Sequence, residues 1–407
     1  MSELLKKYFK GDTILWIVFI MLCGISIIEM YSASSTLAYK ASSHTAPMMR
    51  HAGFLFFGAL LAFGIHLIPY KYIRLLSYIG LAASVFFLVW VQFKGQTINE
   101  SARWMSLFGF QFQPSELAKL SVIIVVADLI SRIKNPEDEK KLFRYIIIIA
   151  GLICGLILPE NFSTAALLFV VVYTMMFIGE ISWKRMLAIA GIIVAVVSLA
   201  VAVVVLVPEN KMPDAFDRAY TWKARIERFA SGKGGDAQQY VINDENRQMM
   251  HGKMAIARGS VTGVFPGNSI ERDYLPQAYS DFIYSIIVEE IGLIGGIVVI
   301  FLYLILLFRA GMTATKCESV FPALLVIGLS LMIVLQAFIS MSVATSLGPV
   351  TGQPLPLISR GGTSVIITCL YFGIILGVTR QLKNEQTNDN ASANTGNDIP
   401  TIKLEDV

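Results

Sequence analysis

Apolar runs recur along almost the whole of this chain, at roughly 13–33, 51–69, 72–93, 114–131, 143–158, 162–179, 185–207, 279–308, 320–345 and 362–380. A soluble fold has no place for about ten such segments, whereas a hydrocarbon layer about 30 Å thick calls for helices of about 20 apolar residues. Lipid offers no water to a backbone, and a helix satisfies its own hydrogen bonds, so each run is expected to be a helix. The expected fold is all-α: a polytopic membrane protein with about ten transmembrane helices and one large extracytoplasmic loop. Of 407 residues, 55% are hydrophobic and 15% charged; soluble domains carry about 25% charged residues. No period marks a soluble repeat architecture.

Charge between the runs sets the orientation. Ten spans put both termini on one side, where sixteen Lys and Arg fall, from Lys6 and Lys7 to Arg380 and Lys383. The short loops opposite carry five: Lys40, Arg50, Lys94, Arg103 and Arg360. Positive loops stay cytoplasmic, so both termini are expected there. The first run has no small-residue cleavage site after it and reads as a retained span. Pro159-Glu160-Asn161 predicts a tight hairpin between the fifth and sixth spans. The long outer connection covers about 208–278. After Lys383 the chain is polar and poor in aromatics, which predicts a membrane domain over 1–383 and a disordered cytoplasmic tail over 384–407. Cys23, Cys154, Cys317 and Cys369 are scattered, with neither zinc-ligand spacing nor a disulfide framework. The four histidines are equally dispersed. A net charge of +4 adds little to the loop distribution, and no nucleic-acid partner is expected.

Ionisable groups placed in apolar runs are expensive, so function is sought there. Arg103-Trp104 in an outer loop reads either as a headgroup anchor or as part of a site. Gln113-Pro114-Ser115-Glu116 is an ordinary helix start. Glu116 and Lys119, at i,i+3, either neutralise each other or hold a cation ready for an anionic ligand. Asp128 is expected to be solvated or paired with Arg132. Arg225 and Arg228 in the long loop suit a surface helix or a phosphate grip. Gly259, Gly263 and Gly267 either make turns or bring amides to a ligand.

Two further segments bear on the site. In LPQAYSDFIYSIIVEEIGLIGG, residues 275–296, Asp281 stands at the edge of an apolar run that also contains Glu289 and Glu290. A helix beginning near Ser280 puts Asp281, Ser285 and Glu289 on one face, with Tyr284 close by. An Asp at a helix start suits the dipole, but that does not account for Glu289 two turns deeper. Glu290 points about 100° away, toward another helix. In SLGPVTGQPLPLISRGGTSVII, residues 346–367, the prolines and glycines forbid a continuous span. An irregular outer loop dipping back into the protein is expected, with Arg360 as a cation. One cavity open to the outside then collects Asp281 as an acid/base with Arg103, Lys119, Arg225 and Arg360. That set suits an anionic substrate that must lose a proton.

These segments carry a resemblance. Ala102-Arg103-Trp104, Phe112 through Lys119, Pro276 through Gly292 and Leu355 through Ser364 resemble the motifs of the SEDS family (shape, elongation, division, sporulation), the FtsW/RodA peptidoglycan glycosyltransferases. The stretch PGNSIERDYLPQAYSDFIY is similar to FtsW-type proteins of the Bacteroidetes. The resemblance implies lipid II polymerisation at the outer face of the cytoplasmic (inner) membrane, with cell division favoured over elongation. It places the family's essential aspartate on Asp281. Its other important positions fall on Arg103, Trp104, Glu116, Lys119 and, in the large loop, Arg225. Gln277 stands where the family often has an acid. Arg360 replaces a tyrosine, so a catalytic Arg360 lacks family support.

Passing from an α-linked pyrophosphate to a β-1,4 bond inverts the sugar carbon, which a single displacement with one base achieves. Asp281 is the expected base. Arg103, Lys119 and Arg225 are expected to stabilise the departing pyrophosphate, with Glu116 holding Lys119. Ser285, Glu289 and Arg360 complete the expected substrate-binding set. No cofactor is demanded, though a divalent cation (Mg or Mn) could share the pyrophosphate charge. The resemblance also implies a class B penicillin-binding protein (a transpeptidase) and other divisome membrane proteins as partners. Rival readings are a lipid II flippase or transporter, an elongation (RodA-type) polymerase and a non-catalytic scaffold.

Overall fold

The structure, a computed structural model, describes residues 10–33, 46–94, 96–98, 101–107, 110–206, 242, 246–275 and 278–396. Each predicted apolar run is a helix: α1 (Thr13–Ala33), α2 (Ala46–Leu67), α3 (Tyr70–Lys94), α4 (Pro114–Ser131), α5 (Pro136–Ile157), α6 (Phe162–Ile178), α7 (Trp183–Leu206), α10 (Ile283–Ala314), α11 (Val320–Ala344) and α12 (Thr363–Gly396). Two shorter helices, α8 (Arg247–Gly259) and α9 (Glu271–Tyr274), lie in the long connection. Among the described residues six helices, α1, α2, α3, α10, α11 and α12, are long and apolar enough by themselves to cross a membrane. The others depart from that standard for visible reasons in three cases. Glu116, Lys119 and Asp128 interrupt α4, the first turns of α5 are charged, and α6 is apolar but only 17 residues long. The chain is a multi-pass membrane protein. Exposed Phe, Leu and Ile side chains such as Leu75, Leu76, Ile79 and Phe93 on α3 face outward, where only lipid could solvate them.

The bundle is built around α4, which buries nearly every residue between Pro114 and Ile130. It packs against α3, α11 and α5, while α12 lies along α2. The closeness of that last pair is set by Gly373, where a side chain would meet the Ala62 carbonyl oxygen at 2.6 Å. At the far end of α4, the buried Asp128 takes Arg132 at 2.6 Å and is also bound by Arg74 and Tyr78. The expected pairing with Arg132 therefore forms, with two partners added. Between α5 and α6 the predicted hairpin is capped by Asn161, whose side chain accepts from the Thr164 N–H at 3.1 Å.

Three features depart from the sequence reading. The connection before α4 is not merely a loop: β1 (Gln96–Ile98), β2 (Ser101–Leu107) and β3 (Phe110–Phe112) form an antiparallel sheet in the order β1-β2-β3. Gln96 pairs with Trp104 and Met105 with Phe112. The last helix does not stop near 380 but continues to Gly396, into the segment expected to be a tail. Third, α10 is broken at Gly292, which sits at φ 81°, ψ −179°.

That break is repaired by another segment. In an unbroken helix the N–H groups of Leu293 and Ile294 would reach the carbonyls of Glu289 and Glu290. Here they donate to Ser260 O (3.0 Å) and Val261 O (3.5 Å). The released carbonyls accept instead from Val264 N (3.0 Å) and Phe265 N (2.8 Å). Segment 260–265 thus supplies partners to the four backbone groups of two lost helical bonds, which satisfies groups that lipid could not. Such an approach needs bare backbone. A side chain at Gly292 would lie 2.2 Å from Val261 O, and one at Gly263 (φ +77°) 2.2 Å from Glu290 O. The open choice over the 259–267 glycines is answered at Gly263: it serves helix contact, not a ligand.

Candidate functional site

Residues 345–362, between α11 and α12, dip into the bundle as expected. Leu355, Leu357, Ile358 and Ser359 are buried although Pro354 and Pro356 forbid a helix. Side chains from three helices supply the missing backbone partners. Tyr303 of α10 donates to Pro356 O at 2.5 Å, Ser26 of α1 to Ile358 O at 3.0 Å, and Gln336 of α11 to Pro354 O at 3.1 Å. Ser26 and Gln336 lie seven and eight residues from the ends of their helices, Ala33 and Ala344. At 1.5 Å per residue the loop reaches about 10–12 Å below those ends.

This loop joins the predicted residues to one another. Lys119 pairs with Glu116 at 2.7 Å and donates to Gln336 Oε1 at 2.9 Å, so the charge pair on α4 grips the loop through Gln336. On the other flank, Arg360 N donates to Tyr279 O at 2.9 Å and Ser359 Oγ donates to Ser280 O. Those two residues lead directly into Asp281, which is 5% exposed. The Arg360 guanidinium lies over the Tyr279 ring, 5.3 Å from its centre. Burial lowers the pKa of Arg360 from its usual value; Tyr279 opposes that shift, and the nearby Arg50 charge adds to it. At the start of α12, Thr363 Oγ1 donates to Gln111 O on β3, at 3.0 Å. Strand β3 pairs with β2, which carries Arg103 and the half-buried Trp104.

Several expectations change. The helix begins at Ile283, not near Ser280, so Asp281 stands in a turn before it. The predicted single face of Asp281, Ser285 and Glu289 therefore does not form. Ser285 Oγ donates to Ala344 O at 2.9 Å, fastening α10 to the end of α11. Glu289 is fully buried and accepts from Ser269 Oγ (2.5 Å), Ile270 N (3.1 Å) and Glu271 N (3.5 Å), with Arg258 Nη1 at 3.4 Å. It is an anchor for the 258–271 segment. Lys119, expected as a cation facing a ligand, is 0% exposed and occupied by Glu116 and Gln336.

Glu290 does turn toward another helix. Ser32 of α1 donates to its Oε1, and Arg272 Nη1 lies 3.7 Å from the same oxygen. On α1, Glu29 is fully buried, and its two carboxyl oxygens have no hydrogen-bond partner among the described residues. Arg225 falls outside the described residues, as does the side chain of Arg103. Among the described residues no group of three His, Cys, Asp or Glu is placed to hold a metal ion.

Reading the sequence for charges missed Gln336, Ser359 and Tyr279. A glutamine inside the run LMIVLQAFIS was a signal, since an amide in an apolar helix must find partners.

The chain is similar to known proteins over nearly its full length. It is 30% identical over 391 residues to the "Probable peptidoglycan glycosyltransferase FtsW" of Bacillus subtilis (strain 168), covering 93% of each chain. It is 31% identical over 378 residues to the protein of the same name from Hahella chejuensis, covering 90% of each. Among solved structures, a chain of a peptidoglycan synthase complex superposes with a TM-score of 0.72 at 22% identity, over 91% of this chain and 98% of that one. The rod shape determining protein RodA of Thermus thermophilus superposes with a TM-score of 0.63 at 23% identity, over 91% and 97%. Residues 12–384 match the cell cycle protein family of FtsW, RodA and SpoVE, and the chain belongs to that family.

Proposed function

We propose that this protein is a peptidoglycan glycosyltransferase that polymerises lipid II in cell division. The observation that carries the reading is the placement of Asp281. It is a buried carboxylate in a turn whose two preceding residues are bonded to the same loop that Lys119 grips through Gln336. Asp281 takes the proton from the GlcNAc 4-hydroxyl of the acceptor. That oxygen attacks the activated MurNAc carbon of the donor, the bond to pyrophosphate breaks, and undecaprenyl pyrophosphate leaves with inversion. Arg103, Trp104, Arg225 and Arg360 are assigned to substrate. Glu116, Lys119, Ser285 and Glu289 act by positioning the loop and α10. A divalent cation enters only as a shared countercharge on the pyrophosphate, and chelation with EDTA tests it.

The charge asymmetry of the loops supports cytoplasmic termini, and with them a site on the outer face of the inner membrane. Relatives named FtsW support the division branch. The similarity to a chain of a peptidoglycan synthase complex supports work alongside a class B penicillin-binding protein and other divisome membrane proteins. The test is polymerisation of purified lipid II in detergent by the protein with its transpeptidase partner. Asp281→Asn is expected to reduce the rate about a thousandfold. A variant that elutes and melts as the wild type yet polymerises at a near-normal rate overturns the base assignment. Polymer formed in detergent, without a bilayer or an energy source, also separates this reading from a transporter.

A further inference from the structure

At the opposite end of the bundle from Asp281 lies a cavity of about 360 Å³. It is formed where α1 begins, α10 ends and α12 passes: Gly11–Ile14, Arg309–Lys316 and Thr379–Gln386 contribute. Arg309 is 26 residues beyond the start of α10 at Ile283, or about 40 Å along a helix, so the cavity is remote from the proposed chemistry. Its floor is a closed pair. Arg309 Nε donates to Asp12 Oδ2 at 2.7 Å, and Asp12 N donates to Thr379 Oγ1 at 3.1 Å.

The walls are not neutral. Lys316 and Lys383 both line the cavity, both are exposed, and neither forms an ion pair among the described residues. Glu385, the nearest acid on α12, acts on Tyr70 and Cys317 and is not part of the lining. With Arg309 cancelled by Asp12, two positive charges face the space. The remaining lining mixes apolar side chains, Ile14, Met312 and Leu382, with the polar Thr13, Thr313 and Gln386. From its mouth, exposed apolar side chains continue along α1 (Ile14, Ile17, Met21) and α10 (Phe308, Leu304, Phe301).

A basic cavity between spans, opening onto an apolar helix surface, has the two halves of a phospholipid site. We propose that it binds an anionic phospholipid, with the phosphate between Lys316 and Lys383 and the acyl chains along α1 and α10. A soluble phosphate would use the lysines but leave the apolar track without a role. This inference does not depend on the glycosyltransferase reading.

The test is native mass spectrometry of the full chain in nonionic detergent, titrated with phosphatidylglycerol or phosphatidylcholine. Phosphatidylglycerol is expected to be retained over phosphatidylcholine. The double variant Lys316→Gln/Lys383→Gln should lower its retention about tenfold. Lys140→Gln/Lys141→Gln removes the same charge from exposed positions outside the cavity and should leave retention unchanged. Equal retention of the two lipids, or equal loss in the two double variants, overturns the site. Displacement of the lipid by inorganic phosphate at matched concentration overturns the choice of a phospholipid.

Discussion

Asp281 and Glu289 lie eight residues apart in one stretch, both buried, yet the molecule treats them differently. Glu289 is held through its carboxylate, by a hydroxyl, two backbone amides and a guanidinium, all from the 258–271 segment. Around Asp281 the holding is done by main chain: Tyr279 O and Ser280 O take the bonds to Arg360 and Ser359. A carboxylate spent on anchoring cannot also take a substrate proton. The turn that carries Asp281 is fixed through its neighbours' backbone. Glu289 is thereby given to the fold, while Asp281 is the acid to which the proposed function gives the chemistry, although sequence alone set them on one face.

The comparison breaks most plainly if the two variants behave alike. Asp281→Asn is expected to lose about a thousandfold in polymerisation with little change in melting temperature. Glu289→Ala leaves the Arg258 charge and three donors facing a void, which costs about 3 kcal/mol; a fall in Tm in detergent reads it. If instead Glu289→Ala melts normally and is inactive, Glu289 belongs to the site. Gly292→Ala should cost about 2 kcal/mol, because a left-handed φ and a 2.2 Å contact with Val261 O must both give way. Its thermal unfolding should resemble that of Glu289→Ala, since both loosen the same junction. The smallest effect has the opposite sign. Glu29→Leu removes a buried acid whose oxygens have no hydrogen-bond partner among the described residues, and a gain of about 1 kcal/mol in stability is expected.

The helices were legible because lipid imposes one demand, a long apolar run, that composition displays directly. Asp281 was singled out by the family resemblance; cost alone pointed to Glu289, two turns deeper, which the structure uses as an anchor. What escaped depends on partners distant in sequence. Gln336 reads as one polar residue in an apolar run until Lys119, 217 residues earlier, and Pro354 are seen at its two ends. The sheet over 96–112 escaped because two of its three strands have only three residues and carry no usable alternation. The face shared by Asp281, Ser285 and Glu289 failed because a helix start cannot be placed within three residues when Ser280, Asp281 and Phe282 all permit one.

The exchange of hydrogen bonds at Gly292 has a consequence for building chimaeras with relatives. Segment 260–265 and residues 289–294 complete each other's backbone, so neither is a self-contained part. A graft of the long connection before α10 that stops at its apparent end would leave Glu289, Glu290, Leu293 and Ile294 facing the wrong template. The transferable unit runs from 258 through 294, and α10 travels with the loop it appears to follow.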